Sequence, residues 1–233
     1  MKLSRDLTLK IHFVLDQLLP PVLRDCRAFM RPLMRMMFSE KAEKIMDFKE
    51  RLPMMTPEEY AAFYEETASF HMPRETDLNR ACVAAILGDV LGSSALDAGC
   101  GRGFLARKLS EFIPSVTAAD MAAPGELGGV RFVRASVSDF SSVFAPGEFD
   151  TVICTHVLEH VLDFKTAVRE LRRVAAKRLI IVVPMQRPYR YTFDLHARFF
   201  PYVHSFLFEM APLREGTFHC APVGGDIYFR EDF

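Results

Sequence analysis

A short apolar run that breaks into a glycine-rich turn and then an amphipathic stretch leaves a chain few folds to choose from. Residues 94–112 read "SALDAGCGRGFLARKLSEF": strand character, glycines at 99, 101 and 103, then a helical pattern. Glycines at alternate positions remove side chains where backbone must approach something closely, and they permit positive φ. The same texture continues downstream. "SVTAAD", "VRFVRA" and "FDTVICT" read as strands, "FKTAVRELRRVA" as a helix, and "RLIIVVP" as a central strand apolar on both faces. "HARFFPYVHSFLFEM" is expected to be helical despite Pro201, and "GTFHCAP" and "GDIYFRE" to pair antiparallel around "VGG". Alternating strand and helix predicts the α/β class, with a seven-stranded, mostly parallel sheet and an antiparallel hairpin at its C-terminal side.

Ahead of Ser94 the pattern is helical. Residues 1–50 read as an amphipathic extension broken at Leu18–Pro21 and at Pro32, residues 51–93 as a helical lead-in or lid, and residues 94–233 as the sheet domain. Within the lead-in, "TPEEYAAFYEETASF" offers Thr56 as N-cap, Pro57 in the first turn and Glu59 at the capping-box position. With 29 Lys and Arg against 30 Asp and Glu, the chain has no basic field that would suit nucleic acid. Five cysteines without a C-x-x-C pair read as reduced thiols, which fits the cytoplasm. The first apolar stretch is interrupted by Lys10, His12 and Asp16 and does not read as a signal peptide. No run approaches the roughly 20 apolar residues of a spanning helix.

The glycine loop admits two ligands. A dinucleotide loop wants a small residue at the sixth position from Gly99, where this chain has Phe104. Asp97, just before the loop, would repel a pyrophosphate but suits a ligand with a positive amino group. Asp120, ending the next strand, is placed to accept hydrogen bonds from two ribose hydroxyls. A nicotinamide-dependent reductase is therefore the less fitting reading.

"LDAGCGRG", Asp120, "SVSDF" and "FDTVICTHVLEHVLDF" together resemble the class I S-adenosylmethionine-dependent methyltransferases, especially the small-molecule (type 11-like) group of quinone- and glycan-modifying enzymes. The resemblance runs from about Leu78 onward and implies a Rossmann-like domain that binds S-adenosyl-L-methionine. It implies that Gly99, Gly101 and Gly103 lay backbone along the methionine part and that Asp97 orients its amino group. Asp120 would hold the ribose, Met121 would pack on the adenine, and Asp139 beside Ser138 would read the adenine edge. His156 would lie at the methionine portion. Ala118 stands where the family often has glycine.

"THVLEHV" also spells H-x-x-E-H through His156, Glu159 and His160, the order of inverted zinc peptidases. That chemistry needs both histidines on one helix and a third ligand. Here His156 directly follows a strand, so no metal is expected. His160 has two readings, a general base or substrate contact, and a backbone-bonded histidine that shapes the loop. Downstream, Tyr189, Arg190, Tyr191 and His196, with Arg187, form a candidate acceptor surface, while Phe193, Phe199 and Phe200 read as core. Tyr60 and Tyr64 share a helical face and would close over the site or pack it. The expected activity is methyl transfer to a small-molecule or lipid-linked acceptor, at oxygen. The alternative is a non-catalytic, cofactor-binding regulatory protein.

The stretch 22–38 places arginines at 24, 27, 31 and 35, steps that stack them on one helical face, among Leu23, Phe29, Met30, Leu33, Met34, Met37 and Phe38. Two readings stand for it: a peripheral, in-plane membrane helix, or a helix docked on protein.

Overall fold

A computed structural model describes residues 13–14, 18–67, 75–191 and 194–233. The early charges Lys2, Arg5, Asp6, Lys10 and Asp16, and also Phe193, lie outside the described residues. The chain divides into two compact units, Met1–Arg74 with Gln186–Ala197, and Glu75–Met185 with Arg198–Phe233.

The first unit is helical: α1 (Pro21–Arg24), α2 (Arg27–Phe38), α3 (Ala42–Met46), α4 (Phe48–Arg51) and α5 (Pro57–Thr67). Met30, Met34 and Phe38, four residues apart on α2, form a stripe buried with Ala42, Ile45 and Met46 of α3 and with Tyr191. α5 starts as its sequence predicts. The Thr56 hydroxyl accepts from the Glu59 amide at 3.2 Å, and the Thr56 amide donates to the Glu59 carboxylate at 2.9 Å. Phe48 stacks on Phe63 with centroids 5.0 Å apart.

The arginines do not form one continuous face. α1 ends at Arg24 and α2 begins at Arg27, so Arg24 leaves the stripe and lies buried with its guanidinium 5.0 Å over the Tyr189 ring. Arg27 donates to Asp47 at 2.6 Å and to Glu43 at 2.8 Å; Arg31 also bonds Glu43, and Arg35 stands 3.3 Å from it. The bonds from Arg27 and then Arg31 hold the Glu43 carboxyl down at about 2. α2 runs through Pro32 without ending. Among the described residues, no helix is long and apolar enough to cross a membrane.

The second unit carries β1 (Ser94–Ala98), β2 (Ser115–Asp120), β3 (Arg131–Arg134), β4 (Phe149–Thr155), β5 (Ala175–Pro184), β6 (Phe218–Val223) and β7 (Asp226–Asp232). Its helices are α6 (Arg80–Asp89), α7 (Phe104–Ser110), α8 (Phe164–Val174) and α9 (Val203–Met210). The strands form one sheet in the order β3-β2-β1-β4-β5-β7-β6. β1 to β5 pair parallel, and β7 is antiparallel to both β5 and β6, as the alternating pattern and the hairpin predict. Side chains alternate between two apolar layers. Leu96, Val152, Cys154, Leu179, Ile181 and Val183 pack with α8 and α9, whereas Ala95, Ile153, Ile180 and Val182 pack with α6 and α7. Because α6 buries Cys82 and Ile86 in the second layer, the sheet unit begins at Glu75, ahead of the change of texture at Ser94.

At the far end of β5, Arg178 donates to Asp232, its register partner on β7, at 2.5 Å. Asp89 at the end of α6 accepts from Tyr228 at 2.8 Å and from Arg230 at 2.7 Å. One expectation needs correction: of "HARFFPYVHSFLFEM" only Val203–Met210 is helical. Proline lacks an N–H, and after Pro201 the extended Tyr202 caps the helix, its amide donating to the Ser205 hydroxyl at 3.2 Å. Phe200 is core, packed between Phe164 and Phe206.

Candidate functional site

Parallel strands present their C-terminal ends together, and the loops that leave β1, β2 and β4 meet there. After β1 the backbone turns through Gly99, Gly101 and Gly103, at φ of 78°, 52° and 72°, which L side chains rarely adopt. Space is short as well. A Cβ on Gly99 would lie 2.2 Å from Val157 Cγ2, and one on Gly103 would lie 2.1 Å from Leu127 Cδ2. The Gly99 and Cys100 amides donate to the Ala119 carbonyl at 2.7 and 3.0 Å, tying the loop to β2.

Two carboxylates flank this loop. Asp97 is almost fully buried; it takes a hydrogen bond from the Ala106 amide in the first turn of α7, whose N-cap, Gly103, has no side chain to offer. Its Oδ2 is buried and meets no hydrogen-bond donor among the described residues. Burial pushes the Asp97 carboxyl up to about 7, and the neighbouring charge of Asp120 adds to the rise. Asp120 is bonded by the Gly101 amide at 2.9 Å and the Ala122 amide at 3.1 Å, which fixes its direction at the end of β2. Met121 beside it is exposed. After β3, the Ser138 amide donates to the Ser136 hydroxyl and the Asp139 amide to the Ser136 carbonyl, a turn that presents Asp139.

The end of β4 differs from a metallopeptidase helix. His156 has φ of 54°, a positive value uncommon outside glycine, and Leu158–His160 is a single 3₁₀ turn. Both ring nitrogens of His156 face carboxylates: Nδ1 lies 3.5 Å from Glu159 and Nε2 3.5 Å from Asp226. Burial alone would lower the imidazole's pKa. The Asp226 and Glu159 carboxylates outweigh it and raise His156 to about 10. Asp226 also accepts from Asn79 Nδ2 at 2.8 Å, and Asn79 Oδ1 caps α6 through the Cys82 amide at 2.9 Å. The His156 ring is therefore turned to the protein's own carboxylates, and its amide donates to the Val182 carbonyl at 2.9 Å. His160 is about one quarter exposed, with Nε2 3.9 Å from Glu159.

Asn79 and Asp226 are the members of this cluster that sequence reasoning missed. Asn79 carries a signal in its N-cap position before an apolar run. Asp226 follows the hairpin turn, about 70 residues along the chain from His156, and has none.

The other predicted residues lie in the helical unit. Tyr189 and Tyr191 are buried there. The Arg190 amide donates to Asp25 at 2.9 Å and its guanidinium to Glu50 at 3.0 Å, so its charge is already met. His196 Nδ1 bonds Gln186 at 2.9 Å. Tyr60 and Tyr64 sit one turn apart with ring centroids at 5.5 Å.

Comparison with known proteins bears on the sheet unit. Residues 96–183 match the family described as methyltransferase domain. Over 92 residues the chain is 34% identical to the ubiquinone biosynthesis O-methyltransferase of Pseudomonas paraeruginosa, covering 36% of this chain and 40% of that protein. It is 28% identical over 139 residues to the protein of the same name from Escherichia coli ATCC 8739, covering 49% and 58%. The match thus spans less than two thirds of either relative. Among solved structures, a Burkholderia thailandensis 1,6-didemethyltoxoflavin-N1-methyltransferase with bound S-adenosylhomocysteine superposes with a TM-score of 0.56 at 23% identity, covering 76% of this chain and 90% of that one. A SAM-dependent methyltransferase from Aquifex aeolicus gives 0.52 at 17% identity, with coverage of 72% and 96%. At these identities the structures share the fold.

Proposed function

We infer, for a chain whose residues 96–183 match the methyltransferase-domain family, that it binds S-adenosyl-L-methionine at the ends of β1, β2 and β4 and passes its methyl group to a small-molecule acceptor, at oxygen. The observation that carries this reading is the buried, unpartnered Oδ2 of Asp97. A carboxylate is costly to bury without a donor, and the amino group of a methionine moiety would offset that cost. The turn is open at Gly101, where a Cβ would meet nothing within 4 Å, so backbone can face a ligand there.

When bound, the cofactor supplies an electrophilic methyl group on a sulfonium, with a neutral thioether as leaving group. The chain's own residues do the rest. Asp97 would orient the amino group, and Asp120, already aimed by two amides, would accept from the ribose hydroxyls. Met121 would cover the adenine, with Asp139 and the backbone at Ser138 along its edge. In-line displacement demands alignment and exclusion of water, and a rigid loop fixed to β2 contributes to the first. His160 is the group assigned to the acceptor hydroxyl's proton. Oxygen is chosen because the sequence relatives are named O-methyltransferases, and it is a property of those proteins until tested here.

Calorimetry with S-adenosylhomocysteine and with NADH tests the cofactor; only the first should bind. Incubation with labelled methyl donor and cell extract, read by product mass, tests the transfer. Absence of S-adenosylhomocysteine binding by folded protein would end the reading.

A further inference from the structure

α2 has three faces. One buries Met30, Met34 and Phe38, the next carries Arg27, Arg31 and Arg35, and the third is apolar and uncovered by the described residues. On that third face Phe29, Pro32 and Met36 follow one another at steps of three and four, so they form one ridge. All three are exposed, Met36 by 74%, and α1 before it exposes Val22 by 77%. An isolated exposed apolar side chain is ordinary, but a ridge of them on a 12-residue helix is a surface with a use.

We propose that this ridge lies on a bilayer surface that contains anionic phospholipid, with α2 in the plane of the headgroups. The occupant follows from the charge beside the ridge. Arg35 stands at the ridge's edge beside Pro32, and Arg31 and Arg27 follow it round the helix toward α3, each with a side chain between 43% and 56% exposed. Glu43 and Asp47 pair with them from the α3 side and take up part of that charge. Between residues 18 and 55, Lys and Arg outnumber Asp and Glu by eight to five, in a chain whose net charge is −1. Apolar ridge and basic border on one short helix match an interface whose depth is hydrocarbon and whose surface is phosphate. The paired arginines supply steering and the ridge supplies the hold. Only the helical unit takes part, so membrane attachment and methyl transfer stand or fall separately.

The chain contains no tryptophan, so Met36→Trp gives a single reporter on the ridge. Phosphatidylcholine vesicles with and without phosphatidylglycerol serve as the probe in co-sedimentation at low salt. The intact chain is expected to sediment with the mixed vesicles more than with pure phosphatidylcholine, and less as sodium chloride is raised. The indole emission of the Met36→Trp variant should shift to the blue on the mixed vesicles. Phe29→Ser/Met36→Ser should weaken partitioning at least about tenfold, the equivalent of losing one well-buried side chain. Its melting temperature should stay unchanged, since both side chains are exposed. Any of three results overturns the proposal. They are no sedimentation at low salt, binding indifferent to the double substitution, or an indole emission already blue without vesicles in a protein that is dimeric by sedimentation velocity. The last would assign the ridge to a second copy.

Discussion

Replacing Asp97 by asparagine should make the cofactor-free protein more stable at alkaline pH while removing its grip on an amino group. The fold holds this carboxyl near 7 instead of at its ordinary 3.8. Keeping it ionised inside the protein therefore costs about 4 kcal/mol at pH 8, at 1.36 kcal/mol for each pH unit. Between pH 3.8 and 7 the folded state binds the proton that the unfolded state has released, so wild-type stability falls as pH rises through that window and levels above it. Asparagine carries no such proton. Its amide must still meet the Ala106 N–H with its oxygen, and imperfect geometry there costs ~1 kcal/mol. The net gain expected in urea unfolding at pH 8 is ~2–3 kcal/mol, shrinking to nothing or a small loss near pH 4. S-adenosylhomocysteine binding should show the opposite. The variant should lose most of its affinity, and the wild type should bind more weakly below pH 7, by up to about tenfold per pH unit, because the ligand's ammonium requires the ionised carboxylate. A variant less stable than wild type at both pH values, or a wild type whose difference from the variant does not change between about pH 4 and pH 8, would refute the linkage.

Other outcomes follow from the same geometry. Asp120→Ala should cost S-adenosylhomocysteine binding about 1–3 kcal/mol by calorimetry, with thermal unfolding little changed. Gly99→Ala should destabilise the fold by about 1–2 kcal/mol or more in urea, since the new methyl meets Val157 at positive φ, and Val157→Ala should recover part of the loss. By NMR, the His156 ring should stay protonated until about pH 10 and titrate lower in Asp226→Asn. Because its folded pKa is raised, the stability it contributes is complete below about 6.5 and fades as pH climbs through 10. Ile181→Ala, on a side chain fully buried in β5, should cost about 2–5 kcal/mol.

The parts of the molecule set by local pattern could be read from the sequence. "SVTAAD" is β2 residue for residue, and the glycine loop sits where a strand must hand over to a helix. The capping box at Thr56 is decided by residues three apart. Features set by distant partners could not be read. Nothing near Glu43 announces that three arginines from another helix will converge on it, so an apparently free basic face proved to be a paired one. The carboxylates around the His156 ring could not be read, because one sits in the turn that follows and the other on a strand about 70 residues away. Tyr191 looked like a surface ring on a loop, but the helical core of Met30 and Met34 takes it in.

Strand β5 lies between two apolar layers, and that has a consequence for how the sheet finds its alignment. A strand with one wet face reports a one-residue slip at once, because every polar side chain would swing inward. From Leu179 to Val183 both faces are hydrocarbon, so a slip would exchange one set of aliphatic groups for another at modest cost. Alignment information must then come from outside the run. Arg178 opposite Asp232, and Asp89 gripping Tyr228 and Arg230, supply it as charge and hydrogen-bond direction. Hydrophobicity fills this sheet, and a few ionic pegs at one end tell β7 where along β5 to stop.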